Sequence, residues 1–176
     1  TYIYALSQKD GVHTYTADSG GNLTHKYANT ETGSTESTRA IHGDSNFIYT
    51  VDNDKLHSYE ADSNGQLTLK NSWGNFTDHQ YGVNENPLTV ESIPTKVPPD
   101  DNVVTFVYVT TLGGGIFRFS VSSTGVFTLI DYDFPTVSGT PSLYGLGGDE
   151  DFIYTGGQSQ HGLMTYAVSA QTTYVT

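Results

Sequence analysis

The chain repeats a short aromatic strand pattern four times, and this internal period limits its possible folds more than any other sequence feature. The pattern reads Tyr-Ile-Tyr at residues 2–4, Phe-Ile-Tyr at 47–49, Phe-Val-Tyr at 106–108 and Phe-Ile-Tyr at 152–154. The final tyrosines are spaced by 45, 59 and 46 residues. A period of this length is typical of repeat architectures, in which each copy is one supersecondary unit.

Two further elements follow each aromatic strand in the same order. The next strand, at residues 12–15, 56–59, 116–119 and 163–166, ends on an aromatic residue. A turn then places glycine at a fixed offset, at Gly21, Gly65 and Gly125, before Leu or Phe and a Thr. We expect these glycines to supply the positive φ of a tight hairpin. The fourth copy of this turn, at residues 169–173, has lost the glycine.

A strand also precedes each aromatic strand, most clearly at residues 141–146 and 37–41. Four short antiparallel strands per unit, repeated head to tail, predict an all-β propeller in a single domain, residues 1–176. The predicted blades cover approximately residues 1–34, 35–78, 88–134 and 139–176. The alternative is a β-sandwich, which has no reason to repeat its turn chemistry in phase.

Two segments carry a resemblance to a known family. They are the Asp-x-x-Gly-x-Leu-Thr turn at residues 62–68 and, at 141–154, a Pro-Ser start leading through an Asp-containing turn to an aromatic strand. They resemble blades of the lactonase-type seven-bladed propellers, which include propeller 6-phosphogluconolactonase and fungal carboxy-muconate cyclase. The resemblance implies an acid or base near the central channel, with Arg or Lys holding an anionic substrate.

The chain accounts for about half of such a propeller. Seven blades of this size need on the order of 315 residues, and the first copy begins at its second strand. An open stack exposes blade edges at both ends, and something must cover them. The alternatives are a missing remainder of the polypeptide, a second copy that completes a ring, or self-closure as four blades. The start midway through a blade favours the missing remainder.

The long third interval lies between the second and third copies. Residues 74–99 contain four prolines and several asparagines. We interpret this segment as an elaborated surface loop, which is either a binding surface or a functionally neutral excursion.

Propellers bind ligands at the mouth of the central channel. The repeat places Arg39 and Tyr144 at equivalent positions of the innermost strand. Polar residues in the loops after the aromatic strands complete the predicted ligand-binding set: Lys9, Asp10, Asp52, Asp54, Gln158 and His161. Arg39 is the candidate catalytic residue, although one cation clamps an anionic substrate poorly. Arg118 takes a strand position that other copies fill with Thr or Ser, which predicts a solvated blade face.

Two features suggest a metal site without supporting one. His13 and His57 occupy the same position in successive copies, but no carboxylate accompanies them at ligand spacing, and Phe and Met replace them elsewhere. We therefore predict a packing position between blades. The Asp52-Asn53-Asp54 segment offers oxygen donors for calcium but lacks the glycine and distal glutamate of an EF-hand. A polar hairpin turn explains it without an ion, so we predict no metal and no cofactor.

Charge and composition restrict the partners. Nineteen acidic residues against seven Lys and Arg give a net charge of −12, which argues against nucleic acid or a membrane surface as a partner. The absence of cysteine excludes disulfides. Sequons at Asn22 and Asn75, together with the low pI, favour a secreted glycoprotein. The start at Thr1 indicates a removed leader or a trimmed piece.

Two functional hypotheses follow. The preferred one is a secreted, non-catalytic binding or structural propeller that contacts protein or carbohydrate, with another copy or the missing part of the same propeller as a further partner. The alternative, which rests on the family resemblance, is a lactonase-like hydrolase or cyclase acting on a small sugar-acid or aromatic-acid lactone.

Overall fold

The computed structural model describes residues 1–7, 10–29, 38–74, 76, 86–97, 102–133, 142–157 and 162–167. Within these ranges the chain forms strands and turns, arranged as four antiparallel sheets in which neighbouring strands follow chain order. None of the described residues forms a helix long and apolar enough to cross a membrane. The predicted all-β, propeller-like architecture is confirmed, and the sheets do not close into a ring.

The four sheets correspond to successive blades. The first contains β1 (Tyr2–Ser7), β2 (Gly11–Ala17) and β3 (Leu23–Asn29). The second contains β4 (Ala40–Gly43), β5 (Ile48–Val51), β6 (Lys55–Ala61) and β7 (Leu67–Gly74). The third contains β8 (Pro87–Val97), β9 (Asn102–Thr111), β10 (Ile116–Val121) and β11 (Phe127–Asp133). The described strands of the fourth are β12 (Leu143–Gly148), β13 (Phe152–Gly157) and β14 (Leu163–Ala167).

The stacking of the sheets identifies the innermost strands. Strand β8 contacts both β4 and β12, so the first strands of the second, third and fourth sheets lie side by side. The second and third sheets therefore each lie between two neighbouring sheets, and their alternating side chains face two different blades. The innermost strands form the wall that faces the centre of the arrangement.

The hydrophobic core consists of layers between neighbouring sheets. Val12 of the first sheet packs with Tyr59 and Leu67 of the second. The largest cluster lies between the second and third sheets and includes Tyr49 and Phe119. A third cluster joins the third and fourth sheets. Each blade is stabilised mainly by its immediate neighbours, as in other repeat proteins.

Asp, Ser and Gly at repeated positions determine the turns. In the first three sheets, the hairpin between the last two strands begins with Asp18, Asp62 or Ser122, whose side-chain oxygen accepts hydrogen bonds from two backbone amides. The glycine three residues later has φ of 81°, 82° and 82° at Gly21, Gly65 and Gly125. The predicted positive φ is confirmed at all three positions.

The same hairpin glycine docks against the preceding blade, in a contact that we call the glycine latch. The Tyr2 ring covers Gly65, and the Phe47 ring covers Gly125, so a methyl group at either glycine would meet the ring within 3.0 Å. A hydroxyl of the preceding blade also donates to the glycine carbonyl oxygen, from Thr14 at 3.0 Å and from Ser58 at 2.6 Å. Since an aromatic ring occupies the space of a side chain, glycine is required for this approach as well as for the turn.

The structure corrects the prediction of a long loop over residues 74–99. Residues 87–97 form β8, which is the first strand of the third blade. Its prolines are tolerated because β8 is an edge strand of its sheet, where an amide hydrogen is not required on the outer side. The strand predicted at residues 37–41 begins later, at Ala40.

Candidate functional site

Arg39 stands at the entrance to innermost strand β4. Its backbone amide donates to Val51 O at 2.8 Å. Its guanidinium donates through Nη2 to Asn53 Oδ1 at 2.8 Å and through Nη1 to Pro87 O at 3.4 Å. Arg39 therefore ties the β5–β6 turn of its own blade to the start of the next blade's innermost strand.

The register shows how the position of Arg39 recurs. Ala40 pairs with Val51 in the second sheet, and Gly145 takes the corresponding place in the fourth, directly after an irregularity at Tyr144. A similar irregularity in the third sheet falls at Leu88. The same position thus carries Arg, Leu and Tyr in three blades, and Tyr144 is exposed. Among these three described positions, Arg39 is the only cation.

Asp52 lies in the β5–β6 turn beside Arg39, and both of its carboxylate oxygens have protein partners. Oδ1 accepts the amides of Asp54 and Lys55 at 2.9 and 2.8 Å, and Oδ2 lies 3.0 Å from His57 Nε2. Burial alone favours the neutral acid, but the hydrogen bonds from His57 and the two amides outweigh it and lower the pKa of Asp52. This carboxylate holds the turn together.

The histidine predictions need one correction. A carboxylate does accompany His57, because the β5–β6 turn brings Asp52 against the His57 ring. The other ring nitrogen, His57 Nδ1, lies 2.7 Å from Ser72 Oγ. His57 is buried, whereas His13 is half-buried and lies beside His25, with 3.1 Å between Nδ1 and Nε2. No group of three or more His, Cys, Asp or Glu side chains gathers at metal-binding distance within the described ranges.

The prediction that Arg118 lies on a solvated blade face is wrong. Only 7% of Arg118 is exposed, and Nη2 donates to Asp131 Oδ2 at 2.6 Å. The guanidinium carbon also lies 5.4 Å from the centre of the Phe106 ring. The equivalent residues Thr14 and Ser58 are buried as well, because this position faces the hairpin of the next blade.

The remaining predicted residues are less informative. Lys9, Gln158, His161 and Asn75 lie outside the described residues. Asp10 is exposed and accepts a hydrogen bond from Ser7 Oγ at 3.3 Å. Asn22 is exposed in its hairpin, where its side-chain nitrogen Nδ2 donates to Asp18 Oδ2 at 2.9 Å. Among the predicted residues that the structure describes, Arg39 and Asp52 come close together, since both contact the same turn.

Sequence reasoning missed a polar cluster on the innermost strands. His42 of β4 lies 3.0 Å from Glu91 Oε1 through Nε2, and 2.8 Å from Ser92 Oγ through Nδ1. The Ser92 amide also donates to His42 Nδ1 at 3.0 Å. An amide can only donate, so Nδ1 accepts and the ring proton lies on Nε2, facing Glu91.

The register explains why this cluster was missed. His42 pairs with Tyr49 and Glu91 pairs with Tyr108, so the two residues occupy the same position in adjacent blades. Seven residues separate the first pair and 17 the second, because the β8–β9 hairpin is ten residues longer. If the repeats are aligned by strand pairing and the longer β8–β9 hairpin is treated as an insertion, His42 and Glu91 fall at the same position.

Two clefts open between neighbouring blades, away from the predicted channel residues. One, of about 530 Å³, lies between the second and third sheets at the end of the blades that holds the β4–β5 turn. The other, of about 310 Å³, lies between the third and fourth sheets beside Arg118 and Tyr166.

The fold and these contacts define a β-propeller-like protein whose described inner wall is held by interblade hydrogen bonds. No protein-family model and no curated protein sequence matches the chain. A solved structure of a protein from Lactobacillus plantarum, a structural genomics target, is similar with a TM-score of 0.68 and 16% sequence identity. The similarity covers 96% of this chain and 51% of that one, so the chain spans about half the length of that structure. It supports the propeller-like fold.

Proposed function

We propose that this chain is an extracellular, non-catalytic binding propeller that contacts carbohydrate or protein, with neutral carbohydrate as the ligand class its larger cleft fits. The observation that carries the proposal is the engagement of the polar side chains along the described inner wall. Arg39, Asp52 and His42 each use polar atoms to join strands and turns. Catalysis needs a group that can exchange a proton or bond with a substrate, whereas the polar groups of Arg39 and Asp52 are held in contacts that join strands and turns.

The cleft between the second and third sheets offers suitable chemistry for sugars. Glu60 and Asn46 supply hydrogen-bonding groups, and Val103 supplies apolar surface. Sugar hydroxyls donate readily to carboxylates, while the C–H face of a sugar ring packs on apolar side chains. The net charge of −12 disfavours an acidic ligand in the same place.

The test is calorimetric titration of the chain with a panel of neutral oligosaccharides. Val103, which is 63% exposed, lies at the cleft, and Val103→Asp should abolish binding by placing a charge against the sugar's apolar face. Ile130→Asp is the matched control, since Ile130 is an exposed aliphatic residue of the same sheet outside the cleft lining. The proposal fails if no neutral saccharide binds, or if Val103→Asp binds as well as the wild type.

One observation favours the lactonase-like alternative. His42 lies between a carboxylate and a serine hydroxyl on the innermost strands, an arrangement able to move a proton. If the chain hydrolyses small lactones, His42→Gln should lower kcat about 100- to 10,000-fold, and the exposed His25→Gln should not. A loss of activity in both variants, or in neither, would remove His42 from the reaction. Arg39→Ala tests the predicted anion clamp in the same assay.

A further inference from the structure

A serine, a histidine and an aspartate form a continuous chain of hydrogen bonds in the second blade. Ser72 of β7 pairs with His57 of β6 in the strand register, and Ser72 Oγ lies 2.7 Å from His57 Nδ1. His57 Nε2 lies 3.0 Å from Asp52 Oδ2 in the β5–β6 turn. The imidazole therefore stands between a hydroxyl and a carboxylate, within hydrogen-bonding distance of both.

The hydrogen bonds of this chain run in one direction. Burial opposes ionisation of Asp52, but hydrogen bonds from His57 and two backbone amides lower its pKa, so the carboxylate is ionised and can only accept. The ring proton of a neutral His57 then lies on Nε2, and Nδ1 carries a lone pair. Ser72 donates its hydroxyl proton to that lone pair. In this arrangement an imidazole acts as a general base on a serine nucleophile.

Ser72 can meet a reagent, whereas its two partners are enclosed by the blade. Asp52 and His57 are 3% and 2% exposed, while Ser72 is exposed. Strand β7 is the outermost strand of its sheet, so no further strand of that sheet lies beside it. The buried pair fixes the position of the base, and the serine presents its oxygen at the surface.

The repeated fold does not require these three side chains. The other sheets form the same strand pair with different residues at the register position of His57 and Ser72, namely His13 with Ala28 in the first sheet and Phe117 with Tyr132 in the third. Burial of a carboxylate beside an imidazole brings no general gain in stability over apolar packing. The polar trio therefore points to a chemical role specific to the second blade.

We propose that Ser72 is a nucleophile that accepts the acyl group of small esters. Ser72 Oγ bonds to the acyl carbon while its proton passes to His57 Nδ1. The bond from the acyl carbon to the leaving oxygen then breaks, and the leaving alcohol takes the proton from His57. The products are acyl-Ser72 and the alcohol, so the step consumes no other reactant. Asp52 does not touch the ester and is a positioning residue that stabilises the imidazolium.

This site is separate from the cleft of the proposed function. Ser58 donates to Gly125 of the third sheet, and successive side chains of a strand face opposite sides. His57 therefore faces the first sheet, whereas the larger cleft lies between the second and third sheets. Acylation modifies the chain once, so it is compatible with a binding function at that cleft.

The test is acetylation by p-nitrophenyl acetate, with the modified residues located by peptide mass spectrometry. In the wild type, Ser72 should be acetylated faster than the exposed hairpin serines, which are Ser19, Ser63 and Ser123. Ser92 is a stricter comparison because it also lies beside a histidine. It is 5% exposed, and its own amide already donates to His42 Nδ1, so Ser92 should stay unmodified.

Variants assign the roles of the three residues. Ser72→Ala should remove the modification from this peptide, and Ser63→Ala is the matched control that should leave Ser72 acetylation unchanged. His57→Gln should lower the rate of Ser72 acetylation about 100- to 10,000-fold. Asp52→Asn should lower it as well, because an amide carries no charge to stabilise the imidazolium. Circular dichroism shows whether each variant is folded.

Two results would overturn the proposal. One is acetylation of Ser72 no faster than that of the hairpin serines in the wild type. The other is a folded His57→Gln variant in which Ser72 is acetylated at the wild-type rate. If His57→Gln does not fold, the comparison of serines within the wild type still decides the question, because it needs no substitution.

Discussion

Alanine substitutions at two hairpin glycines separate the turn's backbone requirement from the interblade contact. Gly21 and Gly125 have φ of 81° and 82°, so alanine adopts the same left-handed conformation at both, at a cost of about 1–2 kcal/mol. Their surroundings differ. An added methyl at Gly125 would lie 2.9 Å from Lys70 Cβ and 3.0 Å from Phe47 Cε1, whereas at Gly21 nothing among the described residues lies within 4 Å.

The expected magnitudes follow from this difference. Overpacking a well-packed contact costs about 1–3 kcal/mol, so Gly125→Ala should lower the free energy of unfolding by about 2–5 kcal/mol and Gly21→Ala by about 1–2 kcal/mol. For a chain of this size, each kcal/mol moves Tm by about 2–4 °C. The Gly125 variant should therefore melt about 2–12 °C below the Gly21 variant.

The single tryptophan provides the assay. Trp73 lies 4.9 Å from Phe119 between ring centres, in the layer between the second and third sheets that the Gly125 latch closes. Its fluorescence in urea and thermal melts reports loss of this layer. Equal losses in the two variants would refute the reasoning, because the backbone alone would then explain the glycine.

Three further predictions concern ionisable and modified groups. The pKa of Asp52 is lowered in the folded chain, so its contribution to the free energy of unfolding is present above the unfolded pKa and is lost as pH falls below about 4. Urea titrations at several pH values should therefore show a smaller loss of stability at acid pH in Asp52→Asn than in the wild type. Burial and the Asp44 carboxylate raise the pKa of Tyr49, so stability should fall above about pH 10 and Tyr49→Phe should reduce that fall. A chain made in yeast should lose mass on treatment with an N-glycanase, and the Asn22→Gln variant should lose less mass than the wild type. An unchanged mass would contradict the glycosylation prediction.

Local chemistry made the blade predictable. The hairpin glycines follow from their own sequence offset, because a tight turn needs a positive φ wherever it occurs. The aromatic strands also repeat with similar neighbours, so the pairing of each with the next strand could be expected. These features depend on a few adjacent residues, and a single sequence is enough to show them.

The candidate site depended on distances that no local pattern contains. Arg118 shares a strand position with Thr14 and Ser58, and only the packing of blades shows that this position faces a neighbour. The pairing of His42 with Glu91 joins two strands 49 residues apart in sequence, across a hairpin of different length. Interblade contacts of this kind require the relative placement of two sheets.

The repeated latch has a consequence for the ends of the stack. Repeat proteins usually carry terminal units with a polar outer face, because an interior-type face is apolar when nothing covers it. Here Leu23 and Phe152 keep the residue types of interior positions although both are exposed in the described chain. Their chemistry therefore matches that of a blade with a neighbour on each side. The two described latches use the same glycine, hydroxyl and aromatic positions, so one local rule orders the first three blades.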